Sequence, residues 1–138
     1  MQSEIDAATR MDTNTRRRRI LVVDDEKNVA LTLQAGLRKL PDCEAVAATS
    51  GEQALELIAL EPFDLIVTDY RMAGIDGLAL AGRVRELYPG AAILLVTAYS
   101  DDALREQAGR LSVARILDKP VSLAVIRAAA LDALNQTR

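Results

Sequence analysis

Short runs of consecutive apolar residues alternate along this chain with longer stretches in which apolar side chains return every three or four positions. Ile20-Leu21-Val22-Val23 is the first run, and it stops at Asp24-Asp25. Val29, Leu33, Leu37 and Leu40 then fall on one helical stripe. A weaker strand over residues 44–48 is followed by Ser50-Gly51-Glu52-Gln53, which has the form of a capping box opening a helix with Ala54, Leu57 and Ile58 inside. Residues 65–68 form a third strand, and 77–88 a helix with Leu80, Val84 and Leu87 on one side. A fourth strand covers 92–96, a polar helix 102–109 and a fifth strand 113–117. Pro120 breaks the chain, and 123–134 is a final helix whose Ala124, Ala128, Leu131 and Leu134 are expected to pack in the core.

Five strands, each followed by a helix, predict an α/β fold: a doubly wound, five-stranded parallel sheet with helices on both faces, joined by right-handed crossovers. Strands that are apolar throughout, rather than alternating, fit a sheet covered on both sides. The 138 residues suffice for one such domain, expected over 20–136. In the first 19 residues five arginines stand against three acids, a balance of +2 within a net charge of −3, so the remainder carries −5. That segment has little to bury and is expected to be a flexible extension, with Arg16 to Arg19 a solvated basic run at the pole opposite the strand ends.

Composition removes whole classes of chemistry. There is no histidine, which excludes His-based nucleophile activation and a His-ligated metal, and the single Cys43 excludes an intrachain disulfide and thiolate clusters. Cys43 is expected to be an inert thiol near the start of the second strand. No apolar run approaches the length of a membrane span, and a cytoplasmic location is expected. The acidic remainder offers no second basic stripe, so direct nucleic-acid binding is not expected. No output domain is expected within the few residues after the last helix, so the chain is read as a stand-alone receiver or the receiver portion of a longer regulator.

In an open parallel sheet a site forms outside the carboxyl ends of the strands. Asp24-Asp25 end the first strand, Asp69 the third, Thr97 the fourth and Asp118-Lys119-Pro120 the fifth. Taken singly, each is ordinary: Asp24 and Asp25 a helix-capping pair, Asp69 a loop acid, Thr97 a strand-terminal hydroxyl, Lys119 a solvated cation. Together they place three carboxylates, a hydroxyl and an ammonium on one edge. Clustered carboxylates repel unless a cation joins them, and Mg²⁺, which takes oxygen ligands and retains waters, suits this set. A carboxylate beside such a metal, faced by an ammonium and a hydroxyl, has what phosphoryl transfer to an aspartate requires.

The segments Ile20-Leu21-Val22-Val23-Asp24-Asp25-Glu26, Asp64-Leu65-Ile66-Val67-Thr68-Asp69-Tyr70-Arg71-Met72, Val96-Thr97-Ala98 and Asp118-Lys119-Pro120, in this order at the ends of the corresponding strands, resemble the receiver domain of two-component response regulators. The resemblance implies a flavodoxin-like fold with strand order 2-1-3-4-5. It further implies that Asp69 accepts a phosphoryl group from the phosphohistidine of a sensor histidine kinase or phosphotransfer protein. Asp25 would ligate Mg²⁺ directly, Asp24 would position it largely through water, and the backbone carbonyl of Arg71 would add a ligand. Lys119 would pair with one phosphoryl oxygen and Thr97 with another. The Lys119-Pro120 bond would be cis. A downstream protein would read a surface around the fourth helix, fifth strand and fifth helix, and a homodimer is compatible with this role. On this view the chain is a signalling phosphoacceptor, not an enzyme with a separate substrate.

Three positions, Ala73, Ile116 and Ser112, depart from the pattern. Ala73 replaces a usual proline, so the loop after Asp69 is expected to be looser. Ile116 replaces a usual aromatic and cannot swing a ring between solvent and core. Tyr99 is the nearest aromatic to the pocket, and with Arg71 it occupies positions that tune dephosphorylation in this family. Ser112 stands where a glycine commonly precedes the fifth strand. The rival reading is a small aspartate-nucleophile phosphatase of haloacid dehalogenase type, which needs a second acid where this chain has Arg71. A receiver-like module that is never phosphorylated conflicts with the intact set of acids and lysine.

Overall fold

The computed structural model describes residues 17–136, and of the extension expected over 1–19, residues 1–16 lie outside the described residues. The order is β1 (Arg18–Val23), α1 (Lys27–Leu37), β2 (Cys43–Ala48), α2 (Gly51–Leu60), β3 (Leu65–Asp69), α3 (Gly77–Leu87), β4 (Ala92–Thr97), α4 (Asp102–Arg110), β5 (Arg115–Asp118) and α5 (Leu123–Asn135). The strands form one parallel sheet ordered β2-β1-β3-β4-β5. Side chains alternate between its faces because successive Cβ atoms point opposite ways. Ile20, Val22, Leu65, Val67, Leu94 and Val96 pack with Leu33 and Leu37 of α1 and Ile126 of α5. Leu21, Val23, Ile66 and Ile93 pack with Ala54 and Ile58 of α2 and Leu80 and Val84 of α3. Burying each of these branched side chains contributes roughly 1.5–3 kcal/mol.

Four of the five helices start on a side-chain cap; α1, whose N-cap is Glu26, does not. Ser50 Oγ accepts the Gln53 N–H at 2.9 Å, while Gln53 Oε1 reaches back to the Thr49 N–H at 2.7 Å, one residue earlier than a reciprocal capping box requires. Asp76, Asp101 and Ser122 cap α3, α4 and α5 in the same way.

Several expectations are corrected. The first strand begins at Arg18, not Ile20, so Arg18 and Arg19 belong to the sheet and not to the extension. The Arg18 N–H donates to Asp42 O and the Arg19 N–H to Asp64 Oδ2, both at 2.8 Å. The Arg19 guanidinium pairs with Glu44 and Glu61 and lies 4.4 Å from the centre of the Phe63 ring, partners that no local spacing announces. In α3, Leu87 is exposed and Ala81 takes the inward position. In α5, Ala124, Ala128 and Leu131 face outward; the buried stripe is Ile126, Ala129, Ala130, Ala133 and Leu134. Rotating the helix this way buries the larger Ile126, and the small alanines let the helix lie close on the sheet. Cys43 begins β2 and is buried, which raises its thiol pKa.

The fifth strand starts at Arg115, later than expected. Ser112, in the glycine position, holds a left-handed φ of 57°. Residues 112–114 are spent returning to the sheet, with the Ala114 N–H donating to Ile93 O at 2.8 Å. Arg85 of α3 clamps this turn, donating to the carbonyls of Pro89, Ala91, Leu111 and Ser112 at 2.6–3.3 Å. Burial lowers its guanidinium pKa.

Candidate functional site

Parallel register brings the strand ends level: Val23 lies beside Thr68, Asp69 beside Val96 and Thr97 beside Asp118. The residues that follow each strand therefore emerge on one edge, where apolar backing gives way to charge. Asp24 is almost wholly buried at 2% exposure, Asp69 is half-buried and Asp25 is exposed. One carboxylate oxygen from each of the three lies within 4.8 Å of the others. Asp24 is held from two sides, since its Oδ1 accepts the Glu26 N–H at 2.9 Å and its own N–H donates to Ala48 O at 3.2 Å.

Lys119 straddles two of these acids, with Nζ 3.3 Å from Asp69 Oδ2 and 3.6 Å from Asp24 Oδ2. Its backbone N–H donates to Thr97 O at 2.8 Å, and the Lys119-Pro120 peptide is cis. Burial pushes the Asp69 carboxyl above the ordinary aspartate value; Lys119 pulls it down and Asp24 pushes it up, leaving it raised. Burial opposes the Lys119 ammonium, but Asp69 and Asp24 together outweigh that and raise its pKa. The site thus holds more negative charge than its lysine neutralises.

Thr97 is buried, and its Oγ1 accepts the Tyr99 N–H at 3.0 Å. Tyr99 itself is two-thirds exposed and stands 5.2 Å from the Arg71 guanidinium carbon, which also lies 5.9 Å from the Tyr70 ring. Arg71 and its two tyrosines form the outer rim. Ile116 is half-buried on β5 beside Leu95.

Three features were missed in reading the sequence. Asp118 does not join the carboxylate cluster; its Oδ1 accepts the Ser100 hydroxyl at 2.7 Å, and Arg105 of α4 donates to Ser100 Oγ at 3.2 Å. This chain of three links the loop after Thr97 to the end of β5. Thr68 is buried and donates to Asp69 O at 2.9 Å, fixing the last peptide of β3. Glu52 reaches from α2 to the loop after Asp69, accepting the Ile75 N–H at 3.2 Å. Ser100 sits three residues from Thr97 and was within reach of a motif-based reading; Glu52 was absorbed by the capping box.

Comparison with known proteins bears on this edge. A response regulator receiver protein of Anaeromyxobacter is 40% identical over 107 residues, 77% of this chain and 44% of that protein. A CheY-type chemotaxis protein of Rhizobium etli is 30% identical over 113 residues, covering 80% of this chain and 88% of its own length. The chain spans less than half of the first relative and only 26% of the transcriptional regulatory protein ZraR of Escherichia coli, to which it is 36% identical over 118 residues. The fold matches a CheY-like receiver domain from Methanospirillum hungatei with a TM-score of 0.83 over 88% of this chain and 96% of that one; at 22% identity that match speaks for the flavodoxin-like architecture alone. Residues 20–131, from the first buried residue of β1 into α5 and enclosing every acid, hydroxyl and ammonium of the edge, match the response regulator receiver domain, and the chain belongs to that family.

Proposed function

We propose that this chain carries signals in a phosphorelay by taking a phosphoryl group onto Asp69 from the phosphohistidine of a sensor histidine kinase or phosphotransfer protein. The reading is carried by one observation: Lys119 lies 3.3 Å from Asp69 at the rim of a three-carboxylate cluster. In the transfer an Asp69 carboxylate oxygen forms the new O–P bond as the donor's N–P bond breaks, and the imidazole leaves with the bonding pair. The transferred group brings its own negative charge to an edge already rich in it.

The cluster fits Mg²⁺. Its donors are all hard oxygens, one from each of three carboxylates gathered within 4.8 Å of one another, the ligand chemistry that Mg²⁺ takes. Asp25, Asp69 and the Arg71 carbonyl would hold the ion directly, with buried Asp24 steering it. Bound there, Mg²⁺ neutralises charge on the phosphoryl oxygens. Lys119 would follow the phosphoryl oxygens, and Thr97 would give up the Tyr99 N–H to donate its hydroxyl to another. Each charge-assisted hydrogen bond is worth roughly 1.5–3 kcal/mol, and because Lys119 exchanges its present contacts with Asp69 and Asp24, two such bonds supply at most about 3–6 kcal/mol. Inverting a 1:99 equilibrium takes about 5.5 kcal/mol, which makes this a marginally poised switch. With Ile116 unable to act as an aromatic toggle, the change would pass through the Ser100, Asp118 and Arg105 chain into α4 and β5. Helix α5, with Val125 and Leu131 exposed, would complete the surface read by a downstream protein.

Incubation with acetyl phosphate and Mg²⁺ should add one phosphoryl group by intact-mass measurement, and chelation of the metal should prevent it. Multiple turnover of a phosphomonoester would favour an aspartate-nucleophile phosphatase instead. The rim is expected to set how long the group survives. A cation-π contact contributes about 0.5–1 kcal/mol at an exposed site, so Tyr99→Ala or Arg71→Ala should shorten the phosphoryl lifetime about two- to five-fold. Mg²⁺ affinity should stay unchanged, and decay of the labelled mass after removing acetyl phosphate reads the effect.

A further inference from the structure

In the loop between β3 and α3, position 73 is Ala and not Pro. An alanine leaves φ unrestrained where a proline ring would fix it. The base of this loop is closed by the Gly77 N–H donating to Tyr70 O at 2.8 Å. Its far side is held from α2. Glu52 Oε2 accepts the Ile75 N–H at 3.2 Å, and a Cβ on Gly74, which has φ +76°, would lie 2.5 Å from that same oxygen. Next to Glu52, a Cβ on Gly51 would lie 2.6 Å from the Ile75 carbonyl oxygen, so the helix start and the loop touch backbone to backbone. The α2 cap is already made by Ser50 and Gln53, so the Glu52 carboxylate is not required to start the helix.

We propose that Glu52 is a positioning residue for the loop that presents Arg71, supplying from α2 the constraint that a proline at position 73 would otherwise provide. This rests on the reading that Asp25, Asp69 and the Arg71 carbonyl hold Mg²⁺. Without Glu52 the loop would keep its base hydrogen bond, the Gly51–Ile75 approach and the packing of Met72 and Ile75 on the core, but its tip would be freer to sample orientations in which that carbonyl points elsewhere, and ion binding would have to select against them. Glu52 removes those alternatives beforehand. Its contact requires Gly74, because any side chain there would both strain the left-handed backbone and displace the carboxylate.

The test compares wild type, Glu52→Ala and Glu52→Gln by amide hydrogen exchange on the metal-free chain and by Mg²⁺ titration followed through amide chemical shifts. Loss of a charge-assisted hydrogen bond should speed Ile75 exchange about tenfold or more in Glu52→Ala while α2 amides stay as protected as in wild type. Mg²⁺ affinity should fall about three- to ten-fold, less than the full worth of such a bond, because only the share of it spent on ordering the Arg71 carbonyl reaches the ion. Glu52→Gln keeps an acceptor oxygen without the charge and should restore both in part, falling between wild type and Glu52→Ala. Unchanged Ile75 exchange in Glu52→Ala would overturn the clasp. Faster exchange with undiminished Mg²⁺ affinity would overturn the positioning role. Absence of any Mg²⁺-dependent shift in wild type would remove the metal site and the role with it, leaving exchange to judge the clasp alone.

Discussion

Exchanging Asp69 for Asn is expected to abolish uptake of a phosphoryl group from acetyl phosphate and, with divalent cations chelated, to raise the melting temperature at neutral pH by a few degrees. The first effect follows from the chemistry: a carboxamide oxygen is a poor nucleophile toward phosphorus, and the neighbouring acids are in other hands. Asp24 is buried and committed to the Glu26 N–H and Lys119, while Asp25 lies exposed at the margin. The second follows from electrostatics. Burial raises the Asp69 carboxyl pKa, Lys119 counteracts this and Asp24 reinforces it, with a net rise over the ordinary value. A carboxyl whose pKa is higher in the folded than in the unfolded chain favours folding when protonated; that contribution is full below the unfolded value and is lost as pH rises through the folded one. At neutral pH the Asp69 carboxylate therefore weakens the fold, and a neutral isostere relieves the strain between it and Asp24. The difference should shrink as pH falls toward about 4, where aspartates begin to take up protons. Thermal melts at both pH values and intact-mass measurement check the two effects separately. A labelled Asp69→Asn protein would move the acceptor to another residue, and one that melts below wild type would show Lys119 to be the stronger influence on Asp69.

Five strand-and-helix units were legible in the sequence because both faces of the sheet are covered, so each strand is a solid apolar run. The edge chemistry was legible for the same reason: the first polar residue after each run lies at the carboxyl end. What escaped notice depends on contacts between distant segments. Arg19 reads as part of a basic tail because its acids, Glu44 and Glu61, are far away in the chain. Leu131 reads as core because a helix rich in alanine offers more than one apolar stripe, and only docking on the sheet selects that of Ile126. Leu87 shows the same ambiguity beside Ala81. Asp118 lies in the motif with Lys119, yet alternation along β5 sends neighbouring side chains opposite ways, so it turns to Ser100 while Lys119 turns to Asp69. The loop lacking its proline was expected to be loose because its tether, Glu52, comes from a helix start 23 residues earlier and is invisible to local reading.

Lys119 decides whether chemistry at the edge becomes a change of shape, and Lys119→Ala is expected to separate the two. Its ammonium lies against both Asp69 and Asp24, and in the metal-free protein it is the cation that keeps these acids compatible with burial. Removing it leaves two facing carboxylates unneutralised, so the metal-free variant should melt below wild type. Mg²⁺ should stabilise it by more than it stabilises wild type, because the ion then takes over neutralisation. For the same reason Mg²⁺ affinity should be no lower than in wild type, since a positive charge that repels the ion is gone. Phosphoryl uptake should slow by roughly 10²–10³, the cost of deleting one fixed donor aimed at developing negative charge. The fraction that is labelled should fail to shift the amides of Ser100, Arg105 and Arg115, because the side chain that ties β5 to the new phosphoryl oxygens is missing. Chelated and Mg²⁺-loaded melts, together with amide shifts before and after phosphorylation, measure all of this on one sample. If those amides moved in Lys119→Ala as they do in wild type, Thr97 alone would be throwing the switch, and Lys119 would be a partner of the resting carboxylates only.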